Sequence, residues 1–258
     1  MLVNGKIKEL SIEHLEQVQK LQKKIIDGLL PDEKHFILER SANDFLKALT
    51  SEETHMLGVF DGEKLVAQAI FAMPKNGQKR DMPEFAGDIA NDEMVIYKAI
   101  SVDPEYRKSN LMLKMLNFIE AKAEKNGKKT SIIQIAIDNP ASWINALKHG
   151  MSIRKVDLDP DDGAKVLYLQ KDMNNEPVLP EKKGQEFHMS IGHDIHREIP
   201  ALFHRMQYRI EQGYQGVQLE KAGGVYKMVW SRPNQQAPRQ ISPKMLHLQN
   251  KLGMQTII

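Results

Sequence analysis

The chain of 258 residues is 41% hydrophobic and 27% charged, with 36 basic against 34 acidic residues. This balance describes a folded protein of one large domain, or one domain with a smaller module. It has no cysteine, which excludes disulfides, thiolate metal sites and a cysteine nucleophile.

In chain order, Lys6 to Leu10 reads as a short strand, and Ser11 as the N-cap of a helix with Leu15, Val18, Leu21 and Ile25 on one face. Leu29-Leu30-Pro31 ends that pattern, and Phe45, Leu46 and Leu49 indicate a second helix. His55 to Phe60 and Lys64 to Phe71 flank Asp61-Gly62, a hairpin signal. Pro74 to Asn91 reads as a polar loop. Met94 to Val102 is the next strand. A helix follows, with Leu111, Met112, Met115, Leu116, Ile119 and Ala123 in one stripe and Asn126-Gly127 at its end. Thr130 to Ile137 is a buried strand, Asn139-Pro140 opens a short helix that closes on Gly150, and Ser152 to Leu158 with Ala164 to Lys171 forms a last hairpin around DPDDG.

Residues 174–184, with two prolines, read as a linker to a small α+β extension over 185–258. In it Pro200 is expected to open a helix carrying Leu202, Phe203, Met206 and Ile210, closed by Gly213. Val217 to Leu219 and Val225 to Trp230 read as a hairpin turned by Ala222-Gly223-Gly224. SRPNQQAPRQ reads as loop, and Ser242 to Leu252 as a last short helix. From Asn174 onward there are 11 basic and 7 acidic residues. That asymmetry suggests two modules and falls short of the basic patch expected for nucleic-acid binding. The extension is a candidate for homodimerisation or substrate docking. Stretches of roughly 20 apolar residues, as a membrane span needs, are absent. The start MLVNGKIKEL lacks the apolar core of a signal peptide, so a cytoplasmic location is expected.

The chemistry is concentrated between Tyr97 and Met151. There a strand, a tight loop and a helix are followed by a second strand and NPASWINALKHGM. A helix N-terminus beside a strand end offers main-chain N–H groups to a pyrophosphate. This stretch resembles the GNAT superfamily of acetyl-CoA-dependent N-acetyltransferases, and the element order β-α-α-β-β-β-α-β-α-β-β over residues 1–173 is the order of that family. The resemblance implies an α/β fold with a central mixed sheet flanked by helices. It also implies acetyl transfer from acetyl-CoA to a primary amine of an unidentified acceptor, by direct nucleophilic attack. The family's phosphate loop, Gln/Arg-x-x-Gly-x-Gly/Ala, is matched by Arg107, Lys108, Ser109, Asn110, Leu111 and Met112. Asn110 replaces the first glycine, and asparagine is among the few residues that tolerate the left-handed region. Met112 replaces the second small residue and is expected either to crowd the cofactor or to turn into the core with Met115.

The resemblance further implies that the main chain near Ile100 and Val102 pairs with the pantetheine arm like an added strand. A splay between strands four and five would admit that arm. Asn139 matches the family asparagine that touches the cofactor, and Gly150-Met151 takes the Gly-Phe place. Ala146 stands where many members have a tyrosine acid, which leaves Ser142, water or Tyr97 to protonate the thiolate. Met94 matches the position of a glutamate base in some members, so Glu93 or its neighbour Asp92 would act through water. The acceptor pocket is expected around Leu29 to Phe36 and in the loop before the fourth strand. The departures at Asn110, Met112 and Ala146 support an alternative, a non-catalytic member of the fold that binds acyl-CoA or a protein partner.

Other signals carry less. His188, His193, His196 and His204 do not form a known zinc pattern. The acids around DPDDG lack the glycine and glutamate placement of a calcium loop and read as a β-turn. No metal is expected. Tyr226, Met228 and Trp230 alternate on one strand face and are expected to pack against the helix at Leu202 to Ile210.

Overall fold

The computed structural model describes residues 5–76, 89–174, 187–191, 195–222 and 225–232. Their elements are β1 Lys6–Glu9, α1 Leu15–Asp27, α2 Ala42–Thr50, β2 Thr54–Asp61, β3 Lys64–Ala72, β4 Met94–Val102, α3 Leu111–Lys125, β5 Thr130–Ala136, α4 Pro140–Lys148, β6 Ser152–Leu158, β7 Lys165–Asp172, β8 Phe187–Ile191, α5 Ile195–Glu211, β9 Gln215–Ala222 and β10 Val225–Ser231. The ten strands form one sheet in the order β1-β2-β3-β4-β5-β7-β6-β9-β10-β8. The β4–β5 pair is parallel and every other pair is antiparallel. The protein is therefore of the α/β class, with a mixed sheet between helices and extra strands at its C-terminal end.

Alternation along the strands supplies two apolar faces. On one, Val18, Leu21 and Ile25 of α1 and Phe45 of α2 pack on Met56, Phe60, Leu65 and Ile70. On the other, the α3 stripe and Trp143, Ala146 and Leu147 of α4 meet Leu57, Val59, Phe71, Val95 and Leu167. Leu202, Phe203 and Met206 of α5, with Met228 and Trp230 of β10, join this second cluster. Met228 and Trp230 thus share a core cluster with α5, and Tyr226 packs half-buried against that cluster. The C-terminal strands continue the same sheet through Ile153 opposite Gly216.

Local chemistry explains most of the boundaries. Gly62 turns the β2–β3 hairpin at φ 61°, and Gly127 follows α3 at φ 74°. Ser41 and Asp44 cap α2 reciprocally. In the β6–β7 turn the side chains of Asp159 and Asp162 accept the N–H groups of Asp161 and Ala164, so these acids build the turn. Two expectations change. Helix α5 begins at Ile195 and carries Pro200 inside it; the proline costs one backbone bond about a turn into a helix held by its apolar face. Strand β8 pairs with β10 and was not legible in the sequence. The helix expected over Ser242 to Leu252, the Gly223-Gly224 turn, residues 77–88 and 175–186, SRPNQQAPRQ beyond Arg232, and the side chains of His188, His193 and His196 lie outside the described residues. Among the described residues no helix is long and apolar enough to cross a membrane, and no group of three or more His, Asp or Glu is placed to hold a metal ion.

Candidate active site

The sheet opens in its middle. β4 pairs with β5 only from Met94 opposite Thr130 to Tyr97 opposite Ile133, although β4 continues to Val102 and β5 to Ala136. β4 stays bonded to β3 as far as Val102, and β5 to β7 along its whole length. The two inner edges, Lys98–Val102 and Gln134–Ala136, therefore diverge without pairing to each other. The register against β3 slips by one residue at Lys98, a bulge of the kind that sharpens a strand's twist. Burial follows the divergence: Met94 to Tyr97 are buried, while Lys98 to Val102 are exposed or half-buried. Ile100 and Val102 thus lie on an open edge whose free main-chain groups can accept an extended ligand as an added strand.

The β4–α3 loop closes one side of this opening. Lys108 and Asn110, at φ 64° and 57°, are the non-glycine residues with positive φ among the described residues. Asn110 occupies the N-cap of α3 in the left-handed conformation, and its side chain makes no capping bond. The first helical bond runs from the Lys114 N–H to the Asn110 carbonyl at 3.0 Å. The N–H groups of Leu111, Met112 and Leu113 are left without an intrahelical acceptor, as at any helix start. Serine and asparagine side chains cap α2 and α4, so the bare start of α3 is a local feature with the polarity an anion needs. Leu111 is buried in the core, and Met112 packs half-buried against the same cluster. Met112 packs on the edge of the core cluster that contains Met115, towards the second of the two outcomes its sequence position left open. Arg107 and Lys108 are exposed and Ser109 is half-buried.

The other side is the β5–α4 corner. Asn139 caps α4 by accepting the Ser142 N–H at 3.2 Å, which brings these two predicted residues together. Trp143 is fully buried, and its indole N–H donates to the Ile137 carbonyl at 3.0 Å. That bond ties α4 to the end of β5.

The connection between α1 and α2 spans the mouth of the opening. Just before it, in the last turn of α1, Lys24 lies 2.8 Å from Asp103, at the end of β4. Asp103 is fully buried, also within 3.5 Å of Lys64, and accepts the Glu105 N–H at 3.1 Å. Burial works to raise its carboxyl, but the contacts with Lys24 and the Glu105 N–H outweigh it and hold the group below the usual range. The same contacts, with Asp103 and then Glu105, hold the Lys24 ammonium above its ordinary range. Farther along, His35 Nε2 lies 2.8 Å from Asp138 Oδ2, at the end of β5. His35 lies in the stretch expected to form the acceptor pocket, yet nothing in the sequence links it to Asp138, 103 residues away. The only local signal was an acid directly before Asn139-Pro140.

The remaining predicted residues lie elsewhere. Asp92 bonds Asn76 at 2.7 Å and Glu93 pairs with Lys129, both at the start of β4. Five residue steps of strand, roughly 17 Å, separate Glu93 from Lys98, where the open edge begins. Tyr97 is 4% exposed and faces α3. Its hydroxyl lies 3.5 Å from Glu120 Oε1, and burial followed by the Glu120 charge pushes it well above the usual phenol range. Glu120 itself accepts from Ser131 at 3.0 Å and Lys171 at 2.6 Å. His149 Nε2 stands 2.9 Å from Glu120 without hydrogen-bond alignment. These groups form a buried polar cluster under α3. Ala146 is fully buried and offers no proton donor.

Solved structures share this architecture. A probable acetyltransferase from Staphylococcus epidermidis ATCC 12228 is 16% identical, with a TM-score of 0.52 over 65% of this chain and 98% of its own. NAA60 of Arabidopsis thaliana in complex with acetyl-CoA is 10% identical, with a TM-score of 0.52 over 67% of this chain and 100% of its own. The ribosomal-protein-S18-alanine N-acetyltransferase of Escherichia coli is 15% identical, with a TM-score of 0.50 over 69% and 98%. At these identities the likeness is one of fold, and no curated protein matches the chain. The acetyltransferase (GNAT) family matches residues 17–151, more than half of the 258 residues; the chain belongs to that family.

Proposed function

We propose that the protein transfers an acetyl group from acetyl-CoA to a primary amine by direct attack of the amine on the thioester. The observation that carries this reading is the divergence of β4 from β5 beyond Tyr97 and Ile133, next to a helix start whose N-cap residue Asn110 takes the left-handed conformation without capping it. The described residues fit the cofactor. Main-chain groups of Ile100 and Val102 would pair with the pantetheine arm. The N–H groups of the loop from Arg107 to Met112 would hold the pyrophosphate, and the packing of the half-buried Met112 side chain against the core supports this. Asn139 and Ser142 would line the far wall. When bound, acetyl-CoA supplies the activated acyl group. The chain's part is to position it and to polarise its carbonyl with fixed N–H groups.

A thiolate leaving group has a solution pKa near 8.5 to 9, so it can depart without a dedicated acid; the buried Ala146 is compatible with turnover. It also favours the second reading, a non-catalytic fold that binds acyl-CoA or a partner. The test is thiol release from acetyl-CoA with spermidine, lysinamide and an alanine-terminated hexapeptide. Amine-dependent release with an acetylated product supports the enzyme. Binding of acetyl-CoA with no turnover of any amine supports the second reading.

A further inference from the structure

A reaction of this kind needs its amine neutral at the moment of attack, and most primary amines are protonated near neutral pH. A proton acceptor is therefore required at the open end of the splay. Asp92 and Glu93 are engaged at the opposite end of β4, and Tyr97 is held protonated under Glu120. At the mouth Asp103 is fully buried against Lys24; His35 and Asp138 are an accessible titratable pair that the described residues place there.

The connection from Gly28 to Arg40 is fastened at both ends. Buried Gln22 donates to the Arg40 carbonyl at 2.9 Å and accepts the Arg40 N–H at 3.0 Å. Where the connection leaves α1, Lys24 in the last turn of that helix reaches Asp103 on the β4 side, and a Cβ on Gly28 would stand 3.5 Å from the Pro104 ring. Between these fastenings a 3-10 turn over Pro31–Phe36 carries His35 to Asp138 on the β5 side. The segment thus bridges the two strand ends that part. The residue it touches on the far side is next to Asn139, the α4 cap.

We infer that His35 is the general base of the acetyl transfer, with Asp138 as its positioning residue. The assignment rests on the acetyltransferase reading above. Nε2 of His35 faces the carboxylate at 2.8 Å, which makes it the protonated nitrogen and leaves Nδ1 as the acceptor. Nδ1 has no hydrogen-bond partner among the described residues. The His35 side chain is 45% exposed and that of Asp138 24%. A hydrogen-bonded surface pair this accessible adds little to stability, whereas an accessible base is what an incoming acceptor requires. Asp138 is the charged group that contacts His35 from a packed element. Glu33 and Lys34 flank it on its own turn, and Lys165 of β7, whose carbonyl accepts the Ile137 N–H, is a further charge near this corner.

The step balances as follows. The acceptor ammonium gives one proton to His35 Nδ1. The neutral amine nitrogen forms a bond to the acetyl carbon, the C–S bond breaks, and its electron pair leaves on the CoA sulfur. The second amine proton goes to that thiolate, and the imidazolium returns its proton to solvent. No redox partner is needed.

The test compares the full-length protein with His35→Gln, using acetyl-CoA and the amine panel above, with hydroxylamine as a second nucleophile already neutral near neutral pH. Expected for His35→Gln is a fall in kcat/KM of about 100-fold or more with a protonated amine. The acid limb of the pH profile is lost, while the rate with hydroxylamine changes little. Asp138→Asn should show a smaller fall that adds nothing in the double variant. Acetyl-CoA affinity and thermal unfolding of both variants should match the parent. An unchanged pH profile in His35→Gln, with the parent active, overturns the assignment and leaves the acetyltransferase reading standing. A parent that acetylates none of the amines overturns both.

Discussion

Replacing Asn110 with valine tests the backbone of the phosphate loop. Asn110 sits at φ 57° and ψ 21°, where asparagine is tolerated and other L-residues incur a cost of about 1–2 kcal/mol, more for a β-branched one. The side chain is exposed and makes no cap bond, so valine loses no contact there and the whole effect is conformational. If the loop must hold this shape to present its N–H groups, the same free energy is withdrawn from cofactor binding. About 1.4 kcal/mol is a tenfold change in affinity, so Asn110→Val should bind acetyl-CoA about tenfold or more weakly by calorimetric titration. Asn110→Gly, which relieves the strain, should bind as tightly as the parent or tighter. Because α3 is anchored by Leu111, Met115, Leu116 and Ile119, both variants should stay folded. Valine and parent binding acetyl-CoA equally would refute the reasoning, since the left-handed turn would then have no part in binding.

Glu120→Ala should destabilise the fold by about 3 kcal/mol or more in denaturant titration, because it strips Lys171 and His149 of their buried partner. The Glu120 carboxyl is held below the usual range: burial opposes this, but His149 and Lys171 prevail. With Asp103 depressed as well, this stabilisation is complete above the unfolded carboxylate range near pH 4 to 4.5 and is lost as pH falls through the lower folded values. Thermal midpoints of the parent should therefore hold near neutrality and fall steeply on acidification, and Glu120→Ala should flatten that fall. Trp143→Phe leaves the buried Ile137 carbonyl without its indole donor and should cost about 1–3 kcal/mol in chemical denaturation. In Gly58→Ala the added methyl would stand 2.6 Å from Leu10 and Leu65 and 2.9 Å from Phe60. That overpacking should cost about 1–3 kcal/mol by the same measurement.

Local signals made much of the fold legible. Met94 to Val102 was readable as a strand because its apolar residues are flanked by Asn91-Asp92 and Asp103-Pro104. The α3 stripe and Asn126-Gly127 bounded the next helix in the same way. Asn110 could be recognised as a stand-in for glycine because its side chain tolerates positive φ. What stayed hidden is non-local. The single register point between Ile153 and Gly216 that joins the C-terminal strands to the sheet depends on packing between distant segments. Pro200 reads as a helix start by local preference, yet α5 begins five residues earlier because its apolar stripe on the core outweighs one lost bond. Strand β8, Phe187–Ile191, is defined by its pairing with β10, a partner distant in sequence. The His35–Asp138 contact exists only once the α1–α2 connection has crossed the mouth of the sheet.

The central claim is that acetyl-CoA lies in the divergence of β4 and β5 with its pyrophosphate on the start of α3. Amide hydrogen exchange of the full-length protein with and without saturating acetyl-CoA tests it directly. The account predicts new protection concentrated at Lys98 to Val102 and at Lys108 to Leu113. Binding without protection of those two segments, or no binding at millimolar acetyl-CoA, would contradict it.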